Sequence, residues 1–128
     1  MTDQNASAAP KPASTATQAA QKAVREELPF SDQADFEQAQ RGFIAPVPDG
    51  VVRNQRGAAL WDLQAYDFLA EEAAPDTVNP SLWRMARLNM YNGLFKVCDR
   101  VYQLRGFDIA CMTVIEGDSG LILIDPLT

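Results

Sequence analysis

Cys98 and Cys111 are the softest metal-ligating side chains in this 128-residue chain, which contains no histidine. Hydrolytic zinc sites rely on neutral imidazoles and close the coordination sphere with carboxylates or thiolates. Without histidine, a catalytic zinc would need both thiols plus carboxylates at ligand spacing; neither cysteine belongs to a CxxC and no such spacing exists. Ser-His-Asp and Cys-His nucleophiles fail for want of the same base. Carboxylates pair at Glu26/Glu27, Asp32/Asp35 and Glu71/Glu72, each in polar surroundings near a cap or loop, as solvated surface acids are. Gly117-Asp118-Ser119-Gly120 holds a serine with no base or oxyanion partner and reads as a turn. No GxGxxG or P-loop phosphate cradle is present. The residues therefore nominate no catalytic, cofactor-binding or metal-ligating position, and by themselves support only a mixed α/β segment.

The elements that would carry these residues begin after a long polar stretch. Met1–Val24 is almost devoid of large apolar side chains, and residues 1–27 read as a disordered tail, with at most a frayed helix over Ala19–Glu27. Pro29 breaks the chain, after which Ser31 or Asp32 can cap a helix running through Phe36 to about Arg41, with Gly42 at C′. Pro46 and Pro48 make Ile44–Asp49 an extended connector. Val51–Arg53 and Ala58–Trp61 flank Asn54-Gln55-Arg56-Gly57, which predicts a hairpin. Asp62 can cap a short helix bearing Leu63, Tyr66 and Leu69 along one side. Asn79 and Pro80 predict an N-cap and N1. From there Leu82, Met85, Ala86 and Met90 form a stripe expected to pack on the following sheet, with Gly93 as the stop.

The last third changes period. Leu94–Val97 and Val101–Leu104 read as strands joined at Asp99-Arg100, and Met112–Glu116 and Leu121–Asp125 as a hairpin around Gly117–Gly120. Leu121-Ile122-Leu123-Ile124 is a continuous apolar run, expected to be a strand buried on both faces. Both cysteines fall in predicted strands and are expected to be reduced and part-buried.

A net charge of −6 with no Lys/Arg cluster disfavours nucleic acid; Arg84 and Arg87 read as one solvated helix face. No stretch approaches the roughly 18 apolar residues of a membrane span, and the N-terminus lacks the apolar core of a Sec signal, which favours a cytoplasmic location.

Several segments, in order, resemble the start of the bacterial zinc-dependent alkylsulfatases that hydrolyse dodecyl sulfate and related esters. They are Leu28-Pro-Phe-Ser-Asp-Gln-Ala-Asp-Phe-Glu37, Arg41-Gly-Phe-Ile-Ala-Pro46, Trp61-Asp62 and Tyr66-Asp67-Phe68-Leu69. Asp76-Thr-Val-Asn-Pro-Ser-Leu-Trp-Arg84 is the most specific, being long and compositionally unusual. Asn92-Gly93-Leu94-Phe95, Val101-Tyr102-Gln103, Arg105-Gly-Phe-Asp108, Met112-Thr-Val-Ile-Glu-Gly-Asp118 and Ile124-Asp125-Pro126-Leu127-Thr128 continue it. The resemblance covers residues 28–128; Cys111 stands where that pattern leads one to expect Asn.

The resemblance implies an α+β fold of the metallo-β-lactamase superfamily. Residues 1–27 are then a tail, 28–93 an N-terminal arm of short helices and a hairpin, and 94–128 the opening antiparallel strands of an incomplete αββα sandwich. It further implies two zinc ions on an HxHxDH motif, a metal-bound water or hydroxide that cleaves the sulfate ester, and a homodimer formed through regions absent here. No residue of this chain matches that motif, so the segment alone is expected to bind no zinc, to be inactive, and to be molten or aggregation-prone. The loop Phe107–Cys111 would lie near a substrate-facing hairpin. The alternatives are a segment of another hydrolase of the same superfamily, such as a thioester hydrolase or lactamase, and a non-catalytic interaction module. The Asp76–Arg84 segment and the long arm weigh against the first alternative; the apolar strand Leu121–Ile124, sticky if left uncovered, weighs against the second.

Overall fold

A computed structural model describes residues 11–126. Helix α1 (Thr15–Glu27) stands where the sequence predicts a tail. Ser14 caps it, accepting from the Thr17 N–H at 3.1 Å, and its Ala- and Gln-rich interior has good helix propensity. Arg25 ties its end to the rest of the chain, donating to the Ala74 carbonyl at 3.0 Å and pairing with Asp76 at 3.7 Å. Residues 1–10 of the expected tail lie outside the described residues.

Helix α2 (Ala34–Gln40) follows the turn at Pro29, with Asp32 Oδ1 accepting from the Ala34 N–H at 2.9 Å. Gly42 leaves the helix at φ +76°, and a Cβ there would collide with the Lys96 carbonyl oxygen. Strand β1 (Phe43–Ala45) overlaps the start of the connector expected over Ile44–Asp49, and a 3₁₀ stretch at Pro48–Gly50 closes it. Strands β2 (Val51–Arg53) and β3 (Ala59–Asp62) form the expected hairpin, with Asn54 Oδ1 accepting from the Arg56 and Ala58 N–H groups.

Asp62 caps the next element as expected, accepting from the Gln64 N–H at 3.0 Å, but Leu63–Ala70 is a 3₁₀ helix. The spacing of three between Leu63, Tyr66 and Leu69 suits that tighter helix, whose i and i+3 side chains eclipse. Leu63 and Leu69 are buried. Helix α3 (Pro80–Asn89) starts on Asn79, whose Oδ1 accepts from the Ser81 N–H at 2.8 Å and the Leu82 N–H at 3.4 Å.

The orientation of α3 departs from the stripe expected of it. Pro80 and Trp83 are its buried residues, the Trp83 indole N–H donating to the Glu71 carbonyl at 3.0 Å, while Leu82 and Met85 are exposed. The main packing partners of α3 are α1, α2 and the 3₁₀ helix, not the sheet. Arg84 and Arg87 explain the rotation: both guanidinium groups lie over the Phe36 ring, at 4.7 and 5.3 Å. Arg84 also donates to the Asp32 carbonyl at 2.6 Å. A face counted as polar thus turns inward, because backbone carbonyls and an aromatic ring satisfy it. Gly93 does not stop the helix, which ends at Asn89. It opens the next strand at φ +129°, where a Cβ would strike the Ala45 carbonyl oxygen.

The remaining strands are β4 (Gly93–Cys98), β5 (Val101–Arg105), β6 (Met112–Glu116) and β7 (Leu121–Ile124). They run as an antiparallel meander, and β1 pairs with β4 to give the sheet order β1-β4-β5-β6-β7. The described chain is therefore α+β with a five-stranded antiparallel sheet. Phe95 on β4 is fully buried and makes an edge-to-face contact with Phe43 of β1 at 5.4 Å. The expectation that Leu121–Ile124 is buried on both faces fails: these residues are 48–64% exposed. β7 is an edge strand, like β1 at the other side, and neither of its apolar faces is covered by any element among the described residues.

Candidate functional site

The thiols are free, and both are exposed rather than part-buried. Cys98 ends β4 at the tight turn into β5, whereas Cys111 sits just before β6, so they flank opposite ends of β5. They cannot share a metal, and no group of three His, Cys, Asp or Glu side chains among the described residues could hold one. The donor set does not fit a zinc site.

The carboxylates behave as surface acids. Glu26 pairs with Lys22 at 3.7 Å, Asp35 with Arg84 at 3.5 Å, and Asp32 serves as a cap. The Gly117–Gly120 loop is closed by the Gly117 N–H donating to the Gly120 carbonyl at 2.7 Å, and Arg100 reaches Asp118 at 2.8 Å. Ser119 lies exposed in this turn.

What the sequence did not nominate is a cleft of about 610 Å³ between the arm and the sheet. The hairpin and the 3₁₀ helix supply Trp61, Leu63, Tyr66 and Leu69; α3 supplies Ala86 and Asn89, and its C-cap is Met90. The loop after β5 closes the far side with Asp108, Ile109 and Cys111. Trp61 stacks on Tyr66 with ring centroids 6.2 Å apart, which makes one wall a flat aromatic surface. Ile109 projects fully into solvent at the mouth.

Arg105, at the end of β5, is the cation of this lining. Its guanidinium lies 4.4 Å over the ring of buried Phe95, and its Nε donates to Gln103 Oε1 at 3.0 Å. Gln103 in turn donates to Thr113 Oγ1 at 3.4 Å. Asp108 lies across the same lining, with Oδ1 accepting from the Ile109 N–H. The cleft is thus mostly apolar, with one cation already seated on a ring and one acid bonded within its loop. Such a surface suits an uncharged apolar ligand better than an anion. The period of three at Leu63, Tyr66 and Leu69 and the loop Phe107–Cys111, expected near a substrate-facing hairpin, pointed towards parts of it, but its walls come from residues far apart in sequence.

Comparison with known proteins gives this geometry a relative. The chain is 54% identical over 118 residues to an (R)-specific secondary-alkylsulfatase of Pseudomonas sp. and 48% identical to a linear primary-alkylsulfatase of Pseudomonas sp.. These alignments cover 92% and 91% of the chain. This chain is an alkylsulfatase homologue. The alkyl/aryl-sulfatase BDS1 of Saccharomyces cerevisiae is 51% identical over 81% of the chain. The solved structure of the stereoselective inverting sec-alkylsulfatase Pisa1 from Pseudomonas sp. superposes on 92% of the chain with a TM-score of 0.84 at 55% identity. A double mutant of Pisa1 gives the same figures. The alkylsulfatase-like chain spans 18% of the length of both Pseudomonas relatives and of the Pisa1 chain, and 16% of the yeast protein. No protein-family profile matches it. No helix among the described residues is long and apolar enough to cross a membrane.

Proposed function

We propose that this chain is the N-terminal segment of a zinc-dependent alkylsulfatase, in which residues outside it hold two zinc ions and hydrolyse an alkyl sulfate ester to alcohol and sulfate. One observation carries the reading: near-complete alignment, at 48–55% identity and a TM-score of 0.84, with primary and secondary alkylsulfatases. The meander ending in bare β7 is how a metallo-β-lactamase-type sandwich would open, with the second sheet and outer helices supplied by further chain. In that arrangement residues 28–93 form an arm and 94–128 the first strands, and the enzyme assembles as a dimer through its other regions.

The role left to this chain is scaffolding and shape. The sheet gives the edge on which the remaining strands build, and the arm closes the cleft against the β5–β6 loop. Because its own donors do not fit zinc, no proton transfer or metal-bound step is assigned to it.

A segment exchange tests the reading. When this chain replaces the matching segment of the linear primary-alkylsulfatase, the chimera should hydrolyse dodecyl sulfate and carry about two zinc ions per protomer, as the di-metal reading requires. The 128 residues alone should show neither property. A folded, zinc-loaded but inert chimera, or stoichiometric zinc on the 128 residues, overturns the proposal.

A further inference from the structure

We propose that Arg25, Arg84 and Arg87 form a binding site for a tetrahedral oxyanion, sulfate or phosphate, in a recess where α1, α2 and α3 meet. The inference goes beyond the proposed function and does not rest on it. The recess shares no lining residue with the cleft against the β5–β6 loop. It encloses about 300 Å³, the lower end of the roughly 300–1,000 Å³ of small-molecule sites, which suits a small ligand. Phe30, Phe36, Ala73, Pro80 and Trp83 form much of its wall. Apolar walls lower the local dielectric and strengthen the field of the charges set among them.

Those charges are mostly of one sign. Arg25 comes from α1, Arg84 and Arg87 from α3, and Glu72 is the one acid of the lining, in a chain of net charge −6. The carboxylates that do approach the arginines are weak partners. Asp76 lies 3.7 Å from Arg25 and Asp35 lies 3.5 Å from Arg84, both largely exposed. Among the described residues no carboxylate comes within ion-pair distance of Arg87. A dianion would complete this balance.

The three heads are also held ready. Arg84 and Arg87 rest on the Phe36 ring, and backbone carbonyls take some of their hydrogen bonds: Ala74 from Arg25, Phe30 and Asp32 from Arg84, Glu72 from Arg87. A guanidinium carries five N–H groups, and none of these heads uses more than three. The remaining planar donors match the paired oxygens of an oxyanion. Because the heads are fixed before the ion arrives, little ordering opposes binding.

Phenylglyoxal modification of the 128-residue protein, resolved by peptide mass at constant ionic strength, reads the site one arginine at a time. Sodium sulfate and sodium phosphate should each slow Arg25 and Arg87 about fivefold at four times the half-protection concentration. Sodium chloride should not, and Arg56, exposed in the hairpin turn outside the recess, should keep its rate throughout. The ion with the lower half-protection concentration is the one the site is built for. Arg25→Gln should raise the concentration needed to protect Arg87 about tenfold or more. Lys22→Gln, which removes a charge from α1 outside the recess, should leave it unchanged. Glu72→Gln should lower it severalfold, a gain that misfolding does not mimic.

Unprotected Arg25 and Arg87, equal protection by chloride, equal slowing of Arg56, an equal effect of Lys22→Gln and Arg25→Gln, or no gain in Glu72→Gln overturns the inference. Its failure is separable from that of the function. An active chimera with unprotected arginines refutes the oxyanion site alone, and protected arginines beside an inert chimera refute the alkylsulfatase assignment alone.

Discussion

The guanidinium of Arg84 sits 4.7 Å above the ring of Phe36 and donates to the Asp32 carbonyl at 2.6 Å. One side chain on α3 thereby holds both the entry to α2 and its buried ring. Its partner Asp35 is 70% exposed, so the carboxylate contributes little. Hydrogen bonds from a charged donor are worth about 1.5–3 kcal/mol and a ring contact about 0.5–1 more. Arg84→Ala should therefore lower the urea unfolding free energy by about 2–3 kcal/mol, whereas Asp35→Asn should cost under about 0.5 kcal/mol.

Gly42 and Gly57 separate backbone strain from collision. Both have positive φ, +76° and +81°, but only at Gly42 would a Cβ meet backbone, the Lys96 carbonyl oxygen. Gly57→Ala should cost about 1 kcal/mol from the left-handed backbone alone. Gly42→Ala must also displace β4 and should cost at least about 2 kcal/mol more than that. Thermal melts of the two variants, side by side, check the order; equal losses would contradict it.

Asn79 provides a local test of α3. Its side chain satisfies two N–H groups at the helix start, so Asn79→Ala should cost about 1 kcal/mol and Asn79→Asp much less. Far-ultraviolet circular dichroism along a urea series reads both.

β7 governs solution behaviour. Its four residues expose apolar side chains on both faces of an edge strand, the arrangement that templates intermolecular pairing. Ile122→Lys combined with Leu123→Lys puts a charge on each face. The pair should raise the soluble monomer fraction in light scattering several-fold while moving the unfolding midpoint little.

Much of the local grammar was legible because it rests on backbone rules. Asn79-Pro80, Asn54…Gly57, Asp62 and the Asp99-Arg100 turn each act where their chemistry places them. What escaped depends on contacts between distant segments. Helix α1 gains its anchor from Arg25 on Ala74 and Asp76, which no window of the sequence contains. The rotation of α3 hinges on Arg84 and Arg87 finding Phe36 and bare carbonyls, so counting apolar residues chose the wrong face. Leu121–Ile124 was misjudged because an apolar run reports what a strand needs, not what covers it. The cleft as a whole escaped for a similar reason, although the loop Phe107–Cys111 was expected near substrate: its walls are drawn from residues 61–69, 86–90 and 105–111.

The pairing of β1 with β4 has a kinetic side. The meander β4-β5-β6-β7 is built from short-range hairpins, but β1 reaches β4 only by closing the whole stretch of residues 46–92. Loop closure over such a span is entropically costly and slow to nucleate, while adjacent hairpins form in microseconds. By that ordering β1 should act as a clasp that shuts last and opens first. In native-state hydrogen exchange the Lys96 amide, bonded to the Gly42 carbonyl at 2.7 Å, should escape through a sub-global opening that leaves the β5–β6 amides protected. The arm would then swing free of an intact meander, making the cleft a space the chain can unfasten without unfolding.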